Sequence, residues 1–550
     1  MRMVSECVSS VPLQEDSVSC YYFDSTIFCT HAVFHHSNQL LLLETRIEYD
    51  PSCVKMKLKI HSLSLSLSLG KPLREKPKFY AKLYIILCCL HCIPFGPPKG
   101  LTRDYLLWAT GKRGKRIKKD NMSEKTDEKK MLTRTTLGVL GGGQLGRMMA
   151  WAAHRLGVRL VALDTPGRES PAGEAAHDAI AGSFRDPESI RKLAKVCDKL
   201  TVEIEHIDTK TLEELAQEGM DVQPEPKTLK LIQDKYNQKV HLAKHNIPLP
   251  EFVSVESIDD IKKCGENWEY PLMLKSRLNA YDGKGNAVIK TENDIAKATE
   301  KLGGVKPNAL YVERWCPFVK ELAVMVARGK DGEIVAHPVV ETVQTDNVCH
   351  VVVAPARVSK HVLNSASEIA QKAISVLPGR GIYGVELFEL PDGTVLLNEI
   401  APRPHNSGHY TIEACVTDQF EQHLRAVLGL PLGDASMKVG AAIMINTLGC
   451  KDGEEGYQIA YEPHTKALSV EGTTPHWYGK KGCRPGRKMG HVTIVANTME
   501  EALRRKAKFL GEEYVPTTTC FWKNWVVYGL GAAALTAATV LSVKLTRGRK

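Results

Sequence analysis

Glu386 and the adjoining pair Asn398-Glu399 are the side chains of this sequence that carry the most chemistry. They stand inside two apolar stretches, 382–390 and 394–400, whose connection Pro391-Asp392-Gly393 predicts a hairpin. A carboxylate in such a strand is rarely buried without a partner. A shared Mg²⁺ would supply one, because hard oxygen ligands bridged to phosphates are what this ion prefers. An Arg or Lys partner is the alternative. The run Ala401-Pro-Arg-Pro-His-Asn-Ser-Gly-His409 follows at once, too polar for a core strand and rich in hydrogen-bonding groups, so it is a candidate for substrate contact. Upstream, an apolar strand over 271–275 ends in Lys275 and runs into the glycine-rich Asn279-Ala-Tyr-Asp-Gly-Lys-Gly285. A lysine at a strand end beside such a turn can hold a triphosphate. It is not a P-loop, since the lysine precedes the glycines. A glycine hairpin with a chance lysine is the plainer alternative.

The elements that must position these groups can be read in order. A short apolar strand at 136–140 leads into Gly141-Gly-Gly-Gln-Leu-Gly-Arg147, a helix over 145–156 and a strand over 158–163 that ends before Asp164. This is a βαβ unit whose turn aims backbone N–H groups at an anion. Gly141-x-Gly143-x-x-Gly146 also matches the dinucleotide fingerprint, so a nicotinamide-dependent oxidoreductase is a competing reading at this point. A strand over 200–205 carries Glu203 and Glu205, and helical stretches follow over 209–217 and 226–245. Lys235 and Lys239 lie on the second of these, where a lysine is ordinarily solvated. The strand over 310–313 runs into a connector, as a nucleotide-base hinge would, and Glu321 opens the next strand. Near the C-terminal end, Lys480, Lys481, Arg484, Arg487 and Lys488 crowd a turn-rich segment. Such a turn suits a compact phosphate; a solvated basic loop is the alternative.

Composition separates a body from its ends. The formal charge of +10 resides in two places: 111–134 has ten Lys/Arg against four Asp/Glu, and 544–550 adds four more basic residues. The body between is close to neutral, which argues against polynucleotide binding. Of 15 cysteines, seven precede Leu101 and eight are scattered without metal-ligand spacing, as in a reducing compartment. Residues 1–135 read as an atypical leader: disordered, a targeting segment, or non-native translation of a dinucleotide repeat through the Ser-Leu alternation at 62–69. The uncharged run 525–543, flanked by Trp522 and Trp525 and by terminal basic residues, has the length and flanks of a transmembrane helix. A buried hydrophobic helix is the alternative.

Taken in order, five segments resemble 5-(carboxyamino)imidazole ribonucleotide synthase, the ATPase unit of phosphoribosylaminoimidazole carboxylase. They are Gly-Gly-Gly-Gln-Leu-Gly-Arg-Met, Thr-Val-Glu-Ile-Glu-His, Tyr-Asp-Gly-Lys-Gly-Asn, Asn-Glu-Ile-Ala-Pro-Arg-Pro-His-Asn-Ser-Gly-His and Arg-Pro-Gly-Arg-Lys-Met-Gly-His, spread over 136–497. The resemblance implies an α/β chain with an ATP-grasp fold. A Rossmann-like domain would span 136–225, the ATP-grasp domain 226–430, and a small β-rich domain 431–500, leaving 501–550 as a tail. It also moves the glycine turn from a dinucleotide site to a domain that helps bind the ribonucleotide.

By the same resemblance, ATP phosphorylates bicarbonate, and the carboxyphosphate carboxylates the amine of 5-aminoimidazole ribonucleotide. Lys235 and Lys275 would contact the ATP phosphates, and the loop Ala280, Tyr281, Asp282, Gly283, Lys284, Gly285 and Asn286 would close over them. Glu313, Arg314, Trp315 and Cys316 would line the adenine hinge, with Glu321 on the ribose and Gln344, where relatives may carry His, near the nucleotide. Glu386 and Glu399, with Asn398 beside them, would hold Mg²⁺ or alternatively Mn²⁺. Gln144, Glu205, Tyr281, Asp282, Arg403, His405, Asn406 and Ser407 would form the ribonucleotide pocket, with Lys480, Arg487 and Lys488 at its phosphate. Asp282, Lys275 and Arg403 are the catalytic candidates, Asp282 orienting or deprotonating the amine. Extra residues in 478–484 leave the register of the phosphate contacts open. The family implies a homodimer; the compartments expected are the cytoplasm or a plastid, with membrane anchoring through 525–543 as a further alternative. No Gly-Ser-x-Ser-Asp-like segment follows Asn497, so a separate mutase is expected to act on the carbamate. A formate-dependent glycinamide ribonucleotide transformylase and a biotin carboxylase are the rivals inside the superfamily; the His-Asn-Ser-Gly-His and Arg-Pro-Gly-Arg-Lys segments disfavour both.

Overall fold

The computed structural model describes residues 132–279, 285–307, 309–345 and 347–514, and the backbone of five strands nearer the N-terminus. The chain divides into two units, Met1–Thr126 and Asp127–Lys550. In the first, β1 (Val18–Phe23), β2 (Thr26–Phe34), β3 (Leu40–Asp50), β4 (Cys53–Ile60) and β5 (Leu63–Ser68) follow one another as an antiparallel meander. The Ser-Leu alternation falls on β5, as a period of two allows.

The second unit begins with a five-stranded parallel sheet in the order β10-β9-β6-β7-β8. Its strands are β6 (Thr136–Leu140), β7 (Arg159–Asp164), β8 (Asp178–Ala181), β9 (Lys199–Val202) and β10 (Asp221–Val222). Leu137, Val139 and Leu140 of β6 are fully buried, as expected of a strand covered on both faces. The helix Gln144–Leu156 follows the glycine turn and stops at Gly157, whose φ of 69° provides the left-handed cap.

Next comes a small antiparallel sheet, β11-β14-β12-β13, built from β11 (Phe252–Val255), β12 (Leu272–Ser276), β13 (Asn286–Ile289) and β14 (Leu310–Arg314). The remaining strands are β15 (Lys320–Arg328), β16 (Ile334–Ala336), β17 (Val340–Thr345), β18 (Val348–Ala354), β19 (Gly381–Glu389), β20 (Val395–Ala401), β21 (Ala441–Leu448), β22 (Thr473–Trp477) and β23 (Lys488–Ala496). They form one nine-stranded sheet in the order β20-β19-β15-β17-β18-β21-β23-β22, with β16 beside β15. The sheet passes from the expected ATP-grasp segment into the expected C-terminal one without a break, because β18 pairs with β21 from Val351↔Ile445 to Ala354↔Ala442.

Two expected elements are corrected. The strand read over 200–205 ends at Val202, so Glu203 and Glu205 stand just past it. The single helix read over 226–245 is two, Pro226–Gln233 and Lys235–Lys244. Asp234 takes extended angles between them, and its carboxylate accepts from the Tyr236 and Asn237 N–H groups as an N-cap. The same carboxylate receives the buried Arg277 guanidinium at 2.6 Å, so the break is held from both sides. It places Lys235 at a helix start, facing the hairpin. Among the described residues no helix is long and apolar enough to cross a membrane. The apolar run 525–543 lies outside the described residues.

Candidate active site

The hairpin β19–β20 sets Glu386 directly opposite Glu399, and the register shifts between Glu386 and Leu387. A bulge at that point re-aims side chains next to the pair. The two carboxylates meet different fates. Glu399 receives an ion pair from Lys235, and that charge and hydrogen bond outweigh burial and hold its carboxyl below the usual range. Among the described residues the Glu386 carboxylate forms no ion pair with a lysine or arginine; the His405 ring lies 3.5 Å away, and Lys235 and Lys488 act on it only through their charge. Burial, then the charges of Glu399 and Glu321, push its carboxyl upward. The alternative of a basic partner is therefore realised for Glu399, while Glu386 stands as an undercompensated carboxylate beside another. Such a donor set fits a divalent cation whose remaining ligands come from phosphate oxygens. Among the described residues no three His, Cys, Asp or Glu side chains could enclose a metal unaided.

Beside this pair lies a second cluster. Glu313, only 3% exposed, sits between two lysines, with Lys239 at 2.9 Å and Lys275 at 2.8 Å. Burial works against its charge, yet the two ammonium groups hold the carboxyl down at about 2. Lys275 also reaches Asn398 Oδ1 at 3.4 Å, and Lys239 donates to the Asn398 carbonyl at 3.0 Å. The small sheet and the hairpin are thus joined through Lys239, Glu313, Lys275 and Asn398. Farther along the hinge, Arg314 pairs with Glu251 at the surface, Trp315 is 39% exposed and Cys316 is half-buried. Glu321 lies on β15 opposite Phe388; burial raises its carboxyl against a hydrogen bond from Gln344.

On the other side of the hairpin, Arg403 grips Glu205 in a two-pronged pair, Nε to Oε2 at 2.6 Å and Nη2 to Oε1 at 3.1 Å. Burial would raise Glu205, but this pairing lowers it to about 2. The contact joins the parallel sheet to the large one. Asn406 and Ser407 turn inward: Asn406 exchanges amide hydrogen bonds with Asn446 at 2.9 and 2.7 Å, and Ser407 is 1% exposed. Gln144 opens its helix at the glycine turn, partly buried. Lys488 starts β23 and adds positive charge beside Glu386 and His405. Burial raises the Glu203 carboxyl, against the N–H groups of Gly146 and Gly143 and the nearby charge of Lys480. Lys480 also donates to the Lys488 carbonyl at 2.8 Å. Arg487 bends back onto its own turn, donating to the carbonyls of Lys481 and Gly482 at 2.6 and 2.7 Å.

The glycine turn answers the oxidoreductase reading. Its N–H groups are already taken: Gly142 donates to Asp164 at 2.6 Å, Gly146 donates to Glu203 at 2.5 Å, and Gly143 donates to the same Glu203 carboxylate. A Cβ on Gly143 would lie 2.8 Å from Glu203 Oε1, so the glycines are needed to admit a side chain of the protein itself.

With this geometry, the comparisons with known proteins are decisive. A ribonucleotide synthetase preATP-grasp domain matches 134–233, an ATP-grasp domain 240–420, and a phosphoribosylaminoimidazole carboxylase C-terminal domain 442–505. The N5-carboxyaminoimidazole ribonucleotide synthase of Synechocystis sp. is 38% identical over 374 residues, 66% of this chain and 93% of the relative. The chain belongs to the N5-carboxyaminoimidazole ribonucleotide synthase family. The crystal structure of an Aspergillus clavatus synthase of this family, in complex with ADP and 5-aminoimidazole ribonucleotide, superposes with a TM-score of 0.64 at 41% identity, covering 69% of this chain and 99% of that one. The chloroplastic phosphoribosylaminoimidazole carboxylase of Vigna aconitifolia is 49% identical over 369 residues, 67% of this chain. This chain spans 65% of the length of that relative.

Within the synthase family frame, the site residues read from sequence divide cleanly. The structure brings together Lys235, Lys275, Glu313, Glu386, Asn398 and Glu399, and beside them Glu205, Arg403 and His405. It turns the side chains of Asn406 and Arg487 toward their own protein partners. Ala280, Tyr281, Asp282, Gly283 and Lys284 lie outside the described residues, whereas Gly285 and Asn286 lead into β13. Sequence reasoning passed over Lys239 as a helix-surface lysine; it is 2% exposed. Its spacing of four from Lys235 puts both on one helical face, and that was the available signal. Glu203, Arg277 and Gln419 carry no site role in the sequence reading either; the partners of the first two lie 57 and 43 residues away, that of Gln419 fourteen.

Proposed function

We propose that this chain carries out the ATP- and bicarbonate-dependent carboxylation of the exocyclic amine of 5-aminoimidazole ribonucleotide, giving the N5-carboxylated ribonucleotide of purine biosynthesis. The observation that carries the reading is the juxtaposition of Glu386 and Glu399, with Lys235 and Lys275 on one side and the Arg403–His405 loop on the other. Two reacting centres in line across one hairpin are what a two-step ligase needs.

In the first step a bicarbonate oxygen attacks the γ-phosphorus of ATP and ADP leaves. Lys235 and Lys275 neutralise the transferring phosphoryl group; Asn398 orients Lys275. The hinge 313–316 takes the adenine, Glu321 the ribose hydroxyls, and Gln344 steadies Glu321. Glu386 and Glu399 would hold a magnesium ion, or manganese in its place, which would supply positive charge against the phosphates. In the second step the amine nitrogen attacks the carboxyl carbon of carboxyphosphate, inorganic phosphate leaves, and the amine proton passes to Asp282. Glu205, Arg403, His405 and Gln144 orient the ribonucleotide, and Lys480 and Lys488 meet its phosphate. Exclusion of water from the site protects carboxyphosphate, which hydrolyses readily. The protein acts as a homodimer in the cytoplasm or a plastid, the latter supported by the chloroplastic Vigna relative, and a mutase consumes its product.

The test is phosphate release from ATP by the full chain with Mg²⁺ and bicarbonate, with and without 5-aminoimidazole ribonucleotide. Stimulation by the ribonucleotide is the expected result; its absence would overturn the reading.

A further inference from the structure

Behind the Arg403–His405 loop, the helix Gln419–Leu428 opens with a side-chain amide that is entirely buried. Both ends of that amide engage one residue. The His405 N–H donates to Gln419 Oε1 at 2.9 Å, and Gln419 Nε2 donates to the His405 carbonyl at 2.9 Å. Gln419 Nε2 also lies 3.0 Å from Nδ1 of His409. These partners fix the orientation of the amide, since a backbone N–H can only donate and a carbonyl can only accept. The second amide hydrogen then goes to His409, whose Nδ1 must accept, leaving its proton on Nε2.

The surroundings leave Gln419 no other arrangement. Its own N–H donates to Thr411 Oγ1 at 3.0 Å, and that hydroxyl donates to the Gly408 carbonyl at 2.6 Å. Gly408 must be a glycine, because a Cβ there would collide with Gln419 Oε1 and lie 2.6 Å from Met325 Cγ. The clamped residue is the one whose ring lies against β19. A Cβ on Gly384 would come within 2.5 Å of His405 Cβ, and the imidazole reaches Glu386 at 3.5 Å.

We propose that Gln419 is a positioning residue for the ribonucleotide: acting through the backbone of His405, it sets the imidazole and the adjoining Arg403 in the orientation the substrate meets. This rests on the reading above that the loop contacts the ribonucleotide. A buried amide serving stability alone would weaken every ligand together as the protein loosened. A positioning amide instead separates the two substrates.

The experiment uses the full chain and two variants. Gln419→Leu removes donor and acceptor at similar volume, and Gln419→Glu keeps the acceptor but loses the donors. The apparent KM for 5-aminoimidazole ribonucleotide is expected to rise about tenfold or more in both. ADP affinity, measured by calorimetry, is expected to stay within about twofold, which corresponds to less than 1 kcal/mol. An unchanged ribonucleotide KM in folded variants overturns the proposal, and so does a parallel loss of ADP affinity. Should the variants fail to fold, ¹⁵N-histidine spectra of the wild type decide: His409 must carry its proton on Nε2, and a proton on Nδ1 refutes the clamp. Failure of the functional reading would look different, as absent ribonucleotide stimulation in the wild type whatever the tautomer.

Discussion

Two carboxylate–lysine clusters draw on one helix, Lys235–Lys244, and behave differently. Glu313 is sealed between Lys239 and Lys275, with side-chain exposures of 4%, 2% and 10%. Glu399 pairs with Lys235 at exposures of 35% and 19%, beside a Glu386 that lacks a full partner. The residue types are the same, but solvent access is not. In the sealed cluster every charge is answered within the protein, and removing one leaves another stranded in low dielectric. In the open cluster the pairing can be exchanged for a ligand at modest cost, because water and incoming phosphate or metal compensate. The contrast is that the Lys239–Glu313 pair holds Lys275 in place from within the protein, whereas the half-open, undercompensated pair beside it is the proposed metal and phosphate contact.

Substitutions can break this contrast. The largest effect is expected for Glu399→Gln, a loss of turnover of about a thousandfold or more with the fold intact, read by phosphate release and thermal melting. A large fall in melting temperature with little loss of turnover would reverse the assignment. Glu313→Gln should register in stability as well as in turnover, since Glu313 also holds Lys275. It leaves Lys239 buried and unpaired, so unfolding free energy should drop by about 3–5 kcal/mol in denaturant titration. The pH dependence carries the same information. Glu313 has a folded pKa of about 2, below the unfolded value, so its stabilising contribution is complete above the unfolded pKa of about 4.3 and fades as pH falls toward 2. Acid titration of Glu313→Gln should therefore show a shallower loss of stability over that window than the wild type; identical slopes would mean the ion pairs contribute nothing there. Lys480→Ala should mainly raise the ribonucleotide KM, about tenfold, with kcat little changed. Smallest of all, Arg314→Ala breaks only the exposed pair with Glu251 and should shift stability by less than about 1 kcal/mol.

Much of this was legible in the sequence, and the reasons for the rest are physical. The hairpin carrying Glu386 and Glu399 could be read because a polar residue in an apolar strand advertises itself against its neighbours. Lys275, one residue before the end of β12, was legible from strand length and the glycine turn after it. The break at Asp234 was not, since the segment has helical composition throughout and the decision is made by Arg277, contributed from just past the end of β12. Lys239 looked like a surface lysine because nothing local reveals that Glu313 and the Asn398 carbonyl close over it. Gln419 was invisible for the same reason: its partners lie on a loop fourteen residues upstream.

The glycine turn has one more consequence. Glu203 is a carboxylate tethered by the chain at the place where an anion would dock, so its local concentration there is set by geometry and not by the cell. A dissolved phosphate must compete with a ligand that never leaves. The motif that elsewhere advertises a vacancy is here a plug already in its socket, and the fingerprint reports the shape of the socket without saying whether it is empty.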